Sequence, residues 1–169
     1  MSSKPQRLKL PVLPFANQMN RAVKELDFNC GPTAIAAIMC LDPFYLPAHL
    51  PDFAKRLYTS PKMMKDCLKS LGVTWHLREG EVTPQTLTKY GLCRIQFEGP
   101  WYGKFAYHYT HWCAAAEFAN GLWVWDVNQA GNGWQTFTHW CNVTMPKLIS
   151  YYKRATGGWN CTHRLELDL

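Results

Sequence analysis

Asp27-Phe28-Asn29-Cys30-Gly31-Pro32-Thr33-Ala34-Ile35-Ala36-Ala37-Ile38 sets one cysteine where a polar turn becomes a small-residue apolar segment. Gly31 is expected to let the backbone turn sharply. Pro32 suits the first helical position, where its missing N–H would have had no intrahelical partner. The alanines and isoleucines that follow predict a helix from about Cys30 to Leu41, thin enough to be buried. A sulfur at such a junction faces the positive end of the helix dipole. That field favours thiolate over thiol, and the thiolate is the nucleophile.

A nucleophilic cysteine needs a distant base and a group to orient it. His111 lies in Tyr107-His108-Tyr109-Thr110-His111-Trp112-Cys113, which runs on into Ala114-Ala115-Ala116. Asn120-Gly121 signals a two-residue hairpin turn. The chain then returns through Leu122-Trp123-Val124-Trp125-Asp126-Val127-Asn128. With Asn120-Gly121 as the turn, residue 111 faces 130 and Asp126 pairs with Ala115, four residues along from His111. Twist or a bulge must then close the gap. His108 is the rival base, but positions three apart on a strand point to opposite faces. Asn128 shares a strand face with Asp126 and is an alternative third member. Gln18 or Asn17 can supply a side-chain donor to an oxyanion, beside the Cys30 backbone N–H.

Gln18, then Asn29-Cys30-Gly31-Pro32-Thr33-Ala34, then His111 leading a strand and Asp126 fifteen residues later, resembles the papain-like cysteine peptidases. It is most similar to the branch that includes the bacteriocin-processing, double-glycine-leader peptidases. The resemblance spans roughly residues 18–140. Twelve residues separate Gln18 from Cys30, more than in papain itself. The resemblance implies an α+β, papain-like fold, its central Cys-bearing helix packed on an antiparallel sheet that carries the His and Asp. It implies a thiol hydrolase acting on a peptide or isopeptide bond, with Cys30, His111, Asp126 and Gln18 as catalytic residues. The alternatives are a papain-like fold used as a binding, effector or inhibitor protein, and an acyl transferase or deamidase with the same triad. A protein or peptide substrate is expected, and no cofactor.

A chain of 169 residues and 19.5 kDa is expected to form a single domain over 1–169, with 1–14 as an extended, proline-marked arm. No apolar run approaches the ~20 residues of a membrane helix. The first ten residues lack a long apolar core and a small-residue cleavage site, so no signal peptide is expected. Cytoplasmic location, or export by a signal-free route, is the corresponding expectation. Seven scattered cysteines without a CxxC pair argue against a zinc ribbon. The echo His111-Trp112-Cys113 and His139-Trp140-Cys141 could set two chelating pairs on strand faces, but two aromatic core segments explain it better, and no metal is expected. The net charge of +6 favours an acidic partner, a nucleic acid or an anionic surface. No nucleic-acid motif is present, so nucleic acid is not an expected partner.

Elsewhere, Ser60-Pro61 reads as N-cap and first position of a helix ending at Gly72. A short helix is expected around 52–58, a strand over 73–77 and a helix from Thr83-Pro84 to Tyr90-Gly91. Further strands are expected over 92–97 and 161–167, a strand or loop over 134–140, and a helix over 144–152.

Overall fold

The computed structural model describes residues 15–56, 58–78, 83, 85–129 and 133–168. The expected N-terminal arm, residues 1–14, lies outside them. The fold is α+β. Helices α1 (Ala16–Glu25), α2 (Cys30–Met39), α3 (Phe53–Arg56) and α4 (Pro61–Ser70) come first. Strands β1 (Trp75–Leu77), β2 (Tyr90–Phe97), β3 (Thr110–Phe118), β4 (Gly121–Trp125) and β5 (Trp134–Thr136) follow. The chain closes with α5 (Phe137–His139), a π-helical turn Trp140–Thr144, α6 (Met145–Ser150) and β6 (Trp159–Leu167). Short 3-10 helices cover Pro43–Ala48 and Gly103–His108.

The six strands form one antiparallel sheet in the order β1-β6-β2-β3-β4-β5. Alternation along β2 and β3 divides the core. Leu92, Trp112, Ala114 and Ala116 pack with α2 and α4 on one face. Cys93, Ile95, Cys113 and Ala115 pack with Trp140, Met145 and the α6 residues on the other. Period-two strands with both faces apolar produce this layered arrangement. Among the described residues no helix is long and apolar enough to cross a membrane.

The helix after Ser60 forms as its sequence dictates. Ser60 Oγ accepts from Met63 N at 3.2 Å, Pro61 opens the helix, and Gly72 leaves it at φ 73°. The helix expected from Thr83-Pro84 does not form. Arg164 donates to Thr83 O and Thr86 O, and Arg78 donates to Leu87 O. Side chains from the sheet thus take carbonyls that a helix would use, and tertiary contacts override local propensity. The second His-Trp-Cys segment is helical, with His139 exposed, and so differs from the strand-borne first.

The hairpin also differs from expectation. Phe118 pairs with Gly121 and Ala114 with Trp125, so the two-residue turn is Ala119-Asn120. Asp126 therefore follows one step beyond the Ala114–Trp125 pair, two residues from His111 rather than four. A slip of two residues keeps every side chain on its face, so the hydrophobic pattern is blind to it.

Candidate active site

Cys30 is the first residue of α2. The reversal ahead of it falls at Asp27, in the left-handed region at φ 52°, and not at Gly31. Asn29 caps the helix, its Oδ1 accepting from Gly31 N at 3.3 Å. Pro32 is then the third helical residue, still among positions whose N–H has no intrahelical acceptor. Gly31 is needed for a different reason from the one its sequence context suggests. A Cβ there would lie 2.0 Å from Thr59 Oγ1, so only glycine lets the 58–61 segment close against the helix start. Trp112 Nε1 donates to Thr59 O at 3.1 Å and ties that segment to β3. Helix start, segment and sheet together wall a cleft of about 570 Å³, lined by Cys30, Thr59, Arg94, His108, Thr110 and Trp112 among others.

His111 stands behind Cys30, 6% exposed, stacked against Phe97 with ring centroids 6.5 Å apart. Its Nε2 donates to Asp126 Oδ2 at 2.8 Å. That leaves Nδ1 for the Cys30 side chain, which is close enough to raise the imidazole. Asp126 is fully buried, and four donors hold it. Oδ2 also accepts from Trp140 Nε1 at 2.9 Å, and Oδ1 accepts from Asn128 N at 2.9 Å and Asn128 Nδ2 at 3.0 Å. Its own N–H donates to Gly133 O, and its carbonyl accepts from Gln129 N. Strand end, turn and helix thereby fix one carboxylate.

The charges reinforce one another. Burial pushes the Asp126 carboxyl up, but the His111 charge and the hydrogen bonds from His111, Trp140 and Asn128 outweigh it and hold it down to about 2. Burial pushes the His111 imidazole down, yet the charges of Asp126 and Cys30, with their hydrogen bonds, raise it well above its ordinary value. The Tyr152 phenol is raised by burial and senses both charges, His111 lowering and Cys30 raising it. The other six thiols are all pushed above their ordinary value. Burial pushes Cys67 up to about 12 and also raises Cys40, Cys93, Cys113 and Cys141. Cys161 is raised by hydrogen bonding with the Cys93 thiol and by burial.

Three of the four expected site residues thus come together: Cys30, His111 and Asp126. Gln18 lies half-buried on α1 and is not among the residues lining the cleft. Asn17 is exposed on the same helix. His108 ends the 3-10 helix ahead of β3 and lines the cleft, while His111 takes the carboxylate. Asn128 does not stand in for Asp126; it braces it.

Two residues of the site were not singled out from the sequence. Trp140 is wholly buried at the first position of the π turn, and its sequence neighbours gave no sign that its N–H would meet Asp126. Arg94 did leave a trace: a guanidinium inside the apolar run Leu92-Cys93-Arg94-Ile95 is out of place in a buried strand unless something there uses it. No family model matches this chain, and no curated protein or solved structure matches it significantly.

Proposed function

We propose that this protein is a papain-like thiol hydrolase that cleaves a peptide or isopeptide bond through a Cys30–His111–Asp126 triad. The observation that carries the reading is the buried His111–Asp126 pair at 2.8 Å, with the Cys30 side chain in reach of the same imidazole at the start of a buried helix. In this reading the Cys30 sulfur attacks the carbonyl carbon and the carbonyl electrons move onto oxygen. The Cys30 N–H, which has no intrahelical partner, donates to that oxyanion. Gln18 as the second donor rests on the family resemblance alone. As the tetrahedral intermediate collapses, the C–N bond breaks and His111 gives its proton to the departing amine. Water then attacks the thioester carbonyl as His111 takes its proton, the C–S bond breaks, and the carboxylic acid leaves the regenerated Cys30 thiolate and His111 imidazolium. Asp126 holds the imidazole in one tautomer and stabilises its charged form, without taking a proton itself.

The test is alkylation followed by substitution. Iodoacetamide near pH 6 is expected to modify Cys30 selectively, since burial or neighbouring thiols push up the other six. Peptide mapping by mass spectrometry reads the site. Cys30→Ala is expected to abolish hydrolysis of any accepted peptide and leave circular dichroism and the melt nearly unchanged, because Cys30 is only half-buried. Uniformly slow labelling of all seven thiols would instead favour the binding or inhibitor role.

A further inference from the structure

Trp112 lines the cleft, whereas His111, the next residue back on β3, belongs to the opposite face of the strand. The imidazole therefore has a second flank, and aromatic rings cover it. Phe97 stacks on His111, and Tyr152 packs on Phe97 with centroids 5.1 Å apart. Tyr109 meets Tyr152 edge-on at 5.5 Å, and Trp101 lies flat on Tyr109 at 3.9 Å. Phe97 is buried, while Trp101, Tyr109 and Tyr152 are half-buried. Gln96 fixes the segment that carries these rings, its Nε2 donating to Phe97 O, Ala106 O and Tyr109 O at 3.1, 2.9 and 3.0 Å. Trp101 Nε1 donates to Phe97 O at 3.0 Å, so the remaining surface of that side chain is apolar. Burial raises the Tyr152 phenol, and the charges of His111 and Cys30 both reach it, which places this ring close to the reacting pair. Tyr102 and Tyr151, chain neighbours of Trp101 and Tyr152, are 80% and 79% exposed. Half-buried rings continued along the chain by exposed ones mark a surface that binds apolar groups. The chemistry decides which part of a substrate meets it. His111 hands its proton to the departing amine, so the amine side of the bond has to pass the imidazole. The cleft walled by Thr59 and Trp112 is left for the acyl side.

We propose that the shelf of Phe97, Tyr152, Tyr109 and Trp101 binds the amine side of the substrate, selecting a peptide whose first residue after the cleaved bond has an aromatic or large apolar side chain. Tyr152 is its specificity-determining residue. The inference rests on the reading of Cys30 as nucleophile and His111 as its acid and base, and names the substrate class for them.

Aminolysis tests it, because an amine that attacks the acyl-enzyme enters by the route the leaving amine takes. p-Nitrophenyl acetate is used to acetylate Cys30: the thiolate attacks the ester carbonyl, the C–O bond breaks and p-nitrophenolate leaves. Phenylalanine amide and glycine amide, at equal concentration, then compete for the thioester carbonyl. The amine proton passes to His111, the C–S bond breaks, and the N-acetyl amide leaves the Cys30 thiolate. Mass spectrometry quantifies the two N-acetyl amides. The same amines acting on S-acetyl-N-acetylcysteamine in solution correct for their intrinsic reactivity. In the unaltered protein the corrected preference for phenylalanine amide is expected to be about tenfold, the scale of partly burying one aromatic side chain. It should fall to about one in Tyr152→Ala and persist in Tyr152→Phe, which keeps the ring. The unaltered protein decides the role of the shelf even where a variant misfolds. A corrected preference of one there overturns the shelf, while acetylation at Cys30 still supports the nucleophile. An undiminished preference in folded Tyr152→Ala overturns the role of Tyr152. Failure of Cys30 to be acetylated overturns the nucleophile and this inference with it.

Discussion

Asp126 concentrates more interactions than any other site residue, and its linkage to pH follows from them. Its carboxyl lies near 2 in the folded chain, below the ordinary 3.8, so its stabilisation is full above about pH 4 and is lost as pH falls towards 2. The His111 imidazole is raised above its ordinary 6.5, so its stabilisation is full below that value and is lost as pH rises through the raised one. Both act fully between about pH 4 and 6.5. Asp126→Asn is therefore expected to lower the unfolding free energy most in that window, by about 2 kcal/mol. The difference from the unaltered protein should shrink towards pH 2. Urea unfolding across pH 2–8 checks this, and a difference independent of pH would show that the carboxylate is not charged in the fold. Trp140→Phe removes one donor from Oδ2, lets the carboxyl rise, and should move the acid limb to higher pH. Trp140 shows why a site residue can evade sequence reading. A role that arises from one hydrogen bond across the fold has no local pattern.

The start of α2 depends on an element far away in sequence. Thr59 packs onto Gly31 so closely that any side chain there must displace backbone or the Thr59 β-branch. Gly31→Ala would gain helix propensity, about 1 kcal/mol. The overlap should outweigh it, for a net loss of about 1–3 kcal/mol in chemical denaturation. A neutral or stabilising Gly31→Ala would mean that the 58–61 segment does not close on the helix. The loss should be accompanied by a slower iodoacetamide reaction at Cys30, because the same contact shapes the cleft wall. Ser60 and Pro61 start α4 by rules local to four residues, and the sequence reads correctly there. The helix expected at Thr83-Pro84 rests on the same kind of local signal. It fails because Arg78 and Arg164, on and beside other strands, bind its carbonyls.

Two core clusters on opposite faces of one sheet make β2, β3 and β6 the centre of the molecule. β1 and β5 are three-residue edges. Amide exchange should be slowest at buried positions of the central strands, around Leu92, Ala114 and Leu165, and fastest at β1 and β5. Residue-resolved hydrogen exchange checks this. Protection at β1 equal to that of β2 would contradict the layered core. The candidate site spans both faces: Cys30 belongs to the helix layer, while Trp140 comes from the layer behind the sheet. Asp126, just past the end of β4, joins the two through His111 and Trp140.

The order of elements, the buried Cys30 helix, the helix opened by Ser60-Pro61 and the candidacy of Cys30, His111 and Asp126 were all legible in the chain, because periodicity, caps and residue chemistry act over a few positions. Tertiary structure decided the rest. The hairpin register slipped by two without disturbing a single face, which no hydrophobic pattern can detect. That slip brings Asp126 within reach of His111, since diagonal neighbours across a strand pair are close enough for side chains to meet. The need for Gly31, the bracing by Asn128 and Trp140, and the placing of Gln18 outside the cleft lining are likewise matters of which distant segments touch. Those contacts arise from packing summed over the whole core, not from any one stretch of sequence.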